Sequence, residues 1–137
     1  MPRSTPNITS EAAQRAFLIT ELMRSTGEHE FPAQLMSIFY WIAAHDGCRQ
    51  EDLRNAVNIS ASSVSRCVTW LGPAHRLEHR SGLKLVRRER DPDNYKAWRL
   101  YLTPKGKVFS NLIASYISSP IDQLQPYEPK TDDQDLG

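Results

Sequence analysis

Polar side chains at positions 62, 65, 66 and 69 crowd one short stretch, Ser60 to Leu71. On a helix, Ser62, Arg66 and Thr69 share one side with Ser65 beside them. Val64, Val68 and Leu71 line the other at i, i+4 and i+7. Small hydroxyls and a guanidinium on an open helix face can lie close to a duplex and offer hydrogen bonds to base edges and phosphates. Ser60 is an efficient N-cap, and Ser63 sits in the first turn it opens. A second group follows: Arg87, Arg88 and Arg90, then Asn94, Tyr95 and Lys96. Such a cluster suits phosphate contact, with Lys84 and Arg99 as further candidates. No catalytic arrangement emerges, because no serine stands in a nucleophile-elbow context and no glycine-rich phosphate loop is present. The expectation is a non-enzyme without a cofactor. His75 and His79 have the i, i+4 spacing of helical metal ligands, but Pro73 interrupts the geometry and only Cys67 is near, so no metal is expected.

These residues need elements to position them. Before Ser60, Leu53, Ala56 and Val57 share a helix face at i, i+3 and i+4. Asn58 then tolerates the left-handed conformation of a sharp turn, and Ile59 folds back toward the core. The stretch Asp52 to Leu71 thus predicts a helix-turn-helix. Ahead of it, a helix is expected from about Ser10 to Thr26, apolar at Ala13, Phe17, Leu18, Leu22 and Met23. A second begins at Phe31-Pro32, with Leu35, Ile38, Phe39 and Ile42 as its main stripe, widened by Met36, Tyr40, Trp41 and Ala43. Gly72-Pro73 breaks the chain after the helix pair. Leu83–Arg90 and Ala97–Leu102 read as paired strands around the turn residues Asp91 to Asn94. Thr103-Pro104 opens a last helix, whose stripe is Val108, Phe109, Leu112, Ile113, Tyr116 and Ile117, and Pro120 ends it. Trp41, Trp70 and Trp98 are expected in the core, with the lining of a ligand cavity as the alternative for one of them, and Cys67 as a small buried thiol.

The net charge of +1 conceals an asymmetry. Arg49 to Lys107 holds 13 Lys/Arg against 6 Asp/Glu, net +7, while the rest of the 137 residues holds 4 against 10, net −6. A basic module of that kind is what phosphate neutralisation requires. The length fits one domain over residues 10–119, with a disordered N-terminus at 1–9 and an acidic, largely disordered tail at 120–137. No apolar run nears the roughly 20 residues that span a bilayer, so no membrane partner is expected. Two cysteines, Cys48 and Cys67, make no disulfide framework and suggest a reducing compartment.

Helix pair, then basic hairpin, is the order of a winged helix-turn-helix. The run Gly82-Leu83, the basic strand to Arg90, Asp91-Pro92-Asp93-Asn94, and Leu102-Thr103-Pro104-Lys105-Gly106 resembles the wing of MarR-type transcriptional regulators. Asp52-Leu53, Ile59-Ser60 and Val64-Ser65-Arg66 match that family's two DNA-binding helices, and the resemblance covers roughly Phe31 to Ile117. It departs in three places. Arg54 replaces a small residue, Pro73 to Gly82 is longer than usual, as in short phage-encoded relatives, and Asn94-Tyr95-Lys96 replaces Asp-Arg-Arg at the wing tip.

The resemblance implies a mainly α protein with a small β-hairpin wing (α+β) and flanking N- and C-terminal helices. It implies a sequence-specific double-stranded DNA-binding transcriptional regulator, a repressor, with helix 60–71 in the major groove and hairpin 83–102 as wing. A homodimer would be built on Phe17, Leu18, Leu22, Val108, Phe109, Leu112, Ile113, Tyr116 and Ile117, on a pseudo-palindromic operator. The location would be the cytoplasm of a prokaryotic cell or a phage-infected host. A small-molecule effector is left open. Two other readings stand: a winged-helix protein-interaction module, and a DNA-binding replication or excision accessory protein.

Overall fold

The computed structural model describes residues 8–26, 31–73 and 82–128. The expected disordered ends fall largely outside them, as do His75 and His79. The chain divides into two compact units, Pro32–Ser110 and the ends Met1–Phe31 with Asn111–Gly137.

The central unit holds α2 (Ala33–Ala44), β1 (Cys48–Arg49), α3 (Gln50–Val57), α4 (Ala61–Leu71), β2 (Val86–Arg90), β3 (Trp98–Leu102) and the start of α5 (Pro104–Ser118). Its centre is α2, which packs against α3, α4 and β3. Leu35, Ile38, Phe39 and Ile42 are fully buried, as their spacing predicts. The hairpin gains a strand that the sequence did not announce: β1 pairs antiparallel with β3, giving the order β1-β3-β2. Register sets Val86 opposite Leu102, Arg88 opposite Leu100 and Arg90 opposite Trp98. One sheet face therefore begins in the core, where Val86, Leu100 and Leu102 are buried, and ends in two arginines and an indole.

Strand β2 is shorter than the expected Leu83–Arg90 because Lys84 adopts φ +61°. Residues 83–85 instead bond back to the end of α4, with Leu83 N–H donating to Trp70 O and Leu85 N–H to Leu71 O. Thr103 caps α5: its hydroxyl accepts from Gly106 N–H at 3.0 Å and donates to Lys84 O at 2.6 Å. Gly106 fits there because a Cβ would overlap the Leu85 carbonyl. The tryptophans are half-buried rather than core, each lying at the edge of the packing.

In the unit made from the chain ends, α1 (Ile8–Arg24) starts two residues ahead of the expected Ser10 and buries Leu18, Leu22 and Met23. Arg15 donates to Tyr116 O at 2.7 Å and Ser119 O at 2.8 Å, satisfying carbonyls at the end of α5. The Tyr116 hydroxyl donates to Gln125 O at 2.9 Å. Past Pro120 the chain makes a 3-10 turn at Ile121–Gln123.

Candidate nucleic-acid interface

The helix pair forms as its residue types dictate. Asn58 takes φ +53°, ψ +53°, and its N–H bonds Arg54 O at 2.9 Å, ending α3 in a left-handed cap. Ser60 Oγ then accepts from Ser63 N–H at 3.1 Å and starts α4. Val64, Cys67, Val68 and Leu71 are buried. On α3 only Leu53 is buried. Ala56, expected on the same face, is exposed, because eight residues turn too little surface inward to hide more. Arg54, too large to pack between the helices, turns outward to Glu51, with Nη2–Oε1 at 2.6 Å. That hydrogen bond holds the Glu51 carboxyl below its ordinary value.

The outer face of α4 sorts its polar groups. Ser62 and Arg66 are exposed. Arg66 Nη2 donates to Ser63 Oγ at 3.1 Å, and Ser63 Oγ also accepts from the Ser60 hydroxyl at 2.9 Å. Ser60 and Ser63 therefore serve the cap and brace Arg66. Thr69 donates to Ser65 O at 2.8 Å, so its proton is engaged within the helix.

The wing turn is built on Asp91, read in the sequence as an ordinary turn residue and in fact almost wholly buried. Its Oδ1 accepts from Asp93 N–H at 2.8 Å, and its Oδ2 lies 2.9 Å from Arg49 Nε and 3.2 Å from Arg99 Nε. The Asp93 hydrogen bond and then the two guanidiniums keep its carboxyl below the ordinary value. Arg99 also donates to Gly47 O at 2.8 Å. One carboxylate thus ties the wing turn to the strand that enters α3. Arg87 pairs with Glu89 and lies over the Tyr101 ring. Arg88 and Arg90 lie over the Trp98 ring at 4.7 and 3.7 Å, and Arg90 also faces Tyr95 at 5.5 Å. Asn94 Oδ1 accepts from Lys96 N–H at 3.2 Å, and Tyr95 is 79% exposed at the tip. A cleft of about 370 Å³ opens between α3, the start of α4 and the wing tip, lined by Gln50, Arg54, Val64, Lys96 and Trp98 among others.

Solved structures share this arrangement of helix pair and wing. A MepR–DNA complex from S. aureus superposes with a TM-score of 0.62 at 19% identity, covering 85% of this chain and 82% of that one. MarR gives 0.54 at 19% identity, over 91% and 81%. The chain has the MarR-type winged helix-turn-helix fold. A mutant MarR from E. coli, complexed with operator DNA, gives 0.54 at 13% identity over 85% and 74%. Identities this low speak to the fold alone. No protein-family model matches the sequence, and no curated protein does either.

Within this MarR-type fold, the residues expected at a dimer interface divide. Leu18, Leu22, Phe109 and Tyr116 are buried within the single chain, and Leu112 and Ile113 are half-buried. A stripe of paired positions reads as one face in sequence, yet half of it is consumed by packing within the chain. Phe17, Val108 and Ile117 remain exposed at 53%, 55% and 61%. Among the described residues no group of three or more His, Cys, Asp and Glu could hold a metal, and no helix is long and apolar enough to cross a membrane.

Proposed function

We propose that the protein is a sequence-specific double-stranded DNA-binding transcriptional regulator acting as a dimeric repressor. The carrying observation is Arg66. It stands exposed on the second helix of the pair, braced by Ser63 and with no carboxylate partner among the described residues. With Ser62 beside it, that side chain suits base-edge recognition in the major groove, while the wing addresses the backbone. The resemblance of the fold to proteins solved with DNA supports the reading. Phe17 and Ile117 are the exposed large apolar residues of the end-derived unit among the described residues, and they support association of two copies. Selection of bound duplexes from a random pool, followed by a gel shift with Arg66→Ala, tests it. The substitution should weaken specific binding by about 1–3 kcal/mol, and a parent chain that selects nothing overturns the proposal.

The exposed Tyr95 and the internal neutralisation of Arg49, Arg87 and Arg99 favour a second reading, a winged-helix protein-interaction module. A partner retained after nuclease treatment, with no DNA footprint, would select it.

A further inference from the structure

We infer that Trp98 is a positioning residue whose indole carries Arg88 and Arg90 as one phosphate-binding fork, and that this fork, rather than Arg87, is the wing's contact with the duplex backbone. The inference rests on the DNA-binding reading above. Register places Arg88 and Arg90 on the sheet face that runs from the buried Val86, Leu100 and Leu102 out to Trp98. A cation on such a face needs cover for its stem and a partner for its charge. The ring supplies the cover: both guanidiniums lie within 4.7 Å of its centroid. Arg49 and Arg99 face Asp91, Arg54 faces Glu51 and Arg87 faces Glu89, whereas no carboxylate pairs with Arg88 or Arg90 among the described residues.

Two like charges sharing one ring repel each other. Partial burial and then the charge of Arg90 make the Arg88 guanidinium easier to deprotonate than usual. An anion bridging both would remove the repulsion and gain charge-assisted hydrogen bonds. A phosphodiester oxygen has that chemistry, and the tied turn below, anchored by Asp91, keeps the fork from swinging away from it. Arg87 points to the opposite face with its charge already met by Glu89.

The test titrates a fluorescently labelled duplex of random sequence with the full chain across a range of KCl concentrations. Non-specific binding reports phosphate contacts, and each contact contributes about 0.9 to the slope of log K against log salt. Arg88→Ala and Arg90→Ala should each lower the slope by about that amount, and Arg87→Ala by clearly less. Trp98→Leu, which keeps apolar bulk but removes the ring, should weaken binding about 5-fold, the size of one exposed cation–π contact. Trp98→Phe should restore most of it, which a merely structural role would not demand. If circular dichroism shows the Leu variant unfolded, the slopes of the three arginine variants decide. Equal losses for Arg87 and its neighbours overturn the inference. So do a Phe variant as weak as Leu, or arginine variants that aggregate while binding normally, which would assign the charges to protection of the exposed β2 edge. A parent chain without salt-dependent binding overturns the DNA-binding reading itself, and is distinguishable because it needs no variant.

Discussion

The Thr69 hydroxyl donates to Ser65 O, so it has no proton left for a base edge, whereas Arg66 is braced and outward. The two were indistinguishable by spacing. Thr69→Val should therefore change duplex affinity by less than about 0.5 kcal/mol, read in the same gel shift in which Arg66→Ala is costly. Ser60→Ala should act on folding, lowering stability by about 0.5–2 kcal/mol through the lost cap, as thermal denaturation would show. Cys48 is a third case. Burial pushes its thiol up to about 11, so iodoacetamide should label it slowly at neutral pH while the fold is intact, and rapidly in denaturant.

At the scale of elements, what the sequence made legible follows from periodicity. The stripe of α2, the left-handed stop at Asn58, the Ser60 cap and the Thr103-Pro104 start are local in origin, and each is found where its residues put it. Two residues of β1 are too few for an alternation to register, and the φ of Lys84 is set by backbone bonds to α4 that no local pattern encodes. Asp91 looked like a turn residue because it is one; its partners lie at positions 49 and 99, and only folding brings them together. Its lowered value makes stability depend on acid. Folded Asp91 holds its proton less tightly than the unfolded carboxyl at 3.8, so its contribution is complete above that pH. It is lost as pH falls below 3.8 through the folded value. Asp91→Asn should remove that part of the acid dependence and lower the urea midpoint at pH 7 with little change in its slope. Gly106→Ala should cost about 1–3 kcal/mol by forcing α5 away from the Leu85 carbonyl.

For the whole molecule, four arginines of the basic module, Arg49, Arg54, Arg87 and Arg99, are met by acids within it. Among the described residues, Arg66, Arg88 and Arg90 are the arginines of that module without a carboxylate partner. Self-association is a separate question, and Phe17→Asp with Ile117→Asp addresses it. If two copies pair through the end-derived unit, that double variant should sediment as a monomer at micromolar concentration where the parent does not, with its circular dichroism unchanged.

The bond from Arg15 to Tyr116 joins residues 101 apart. Along the chain, α1 precedes the central unit, and the carbonyls that Arg15 satisfies follow it. The central unit, Pro32–Ser110, thus lies between the two partners in sequence. Closing a loop of this length costs about 4 kcal/mol of chain entropy, and a central unit already folded would shorten the free chain to be closed. Refolding should therefore be sequential: under pulsed hydrogen exchange, α2 and α4 should gain amide protection before α1 does.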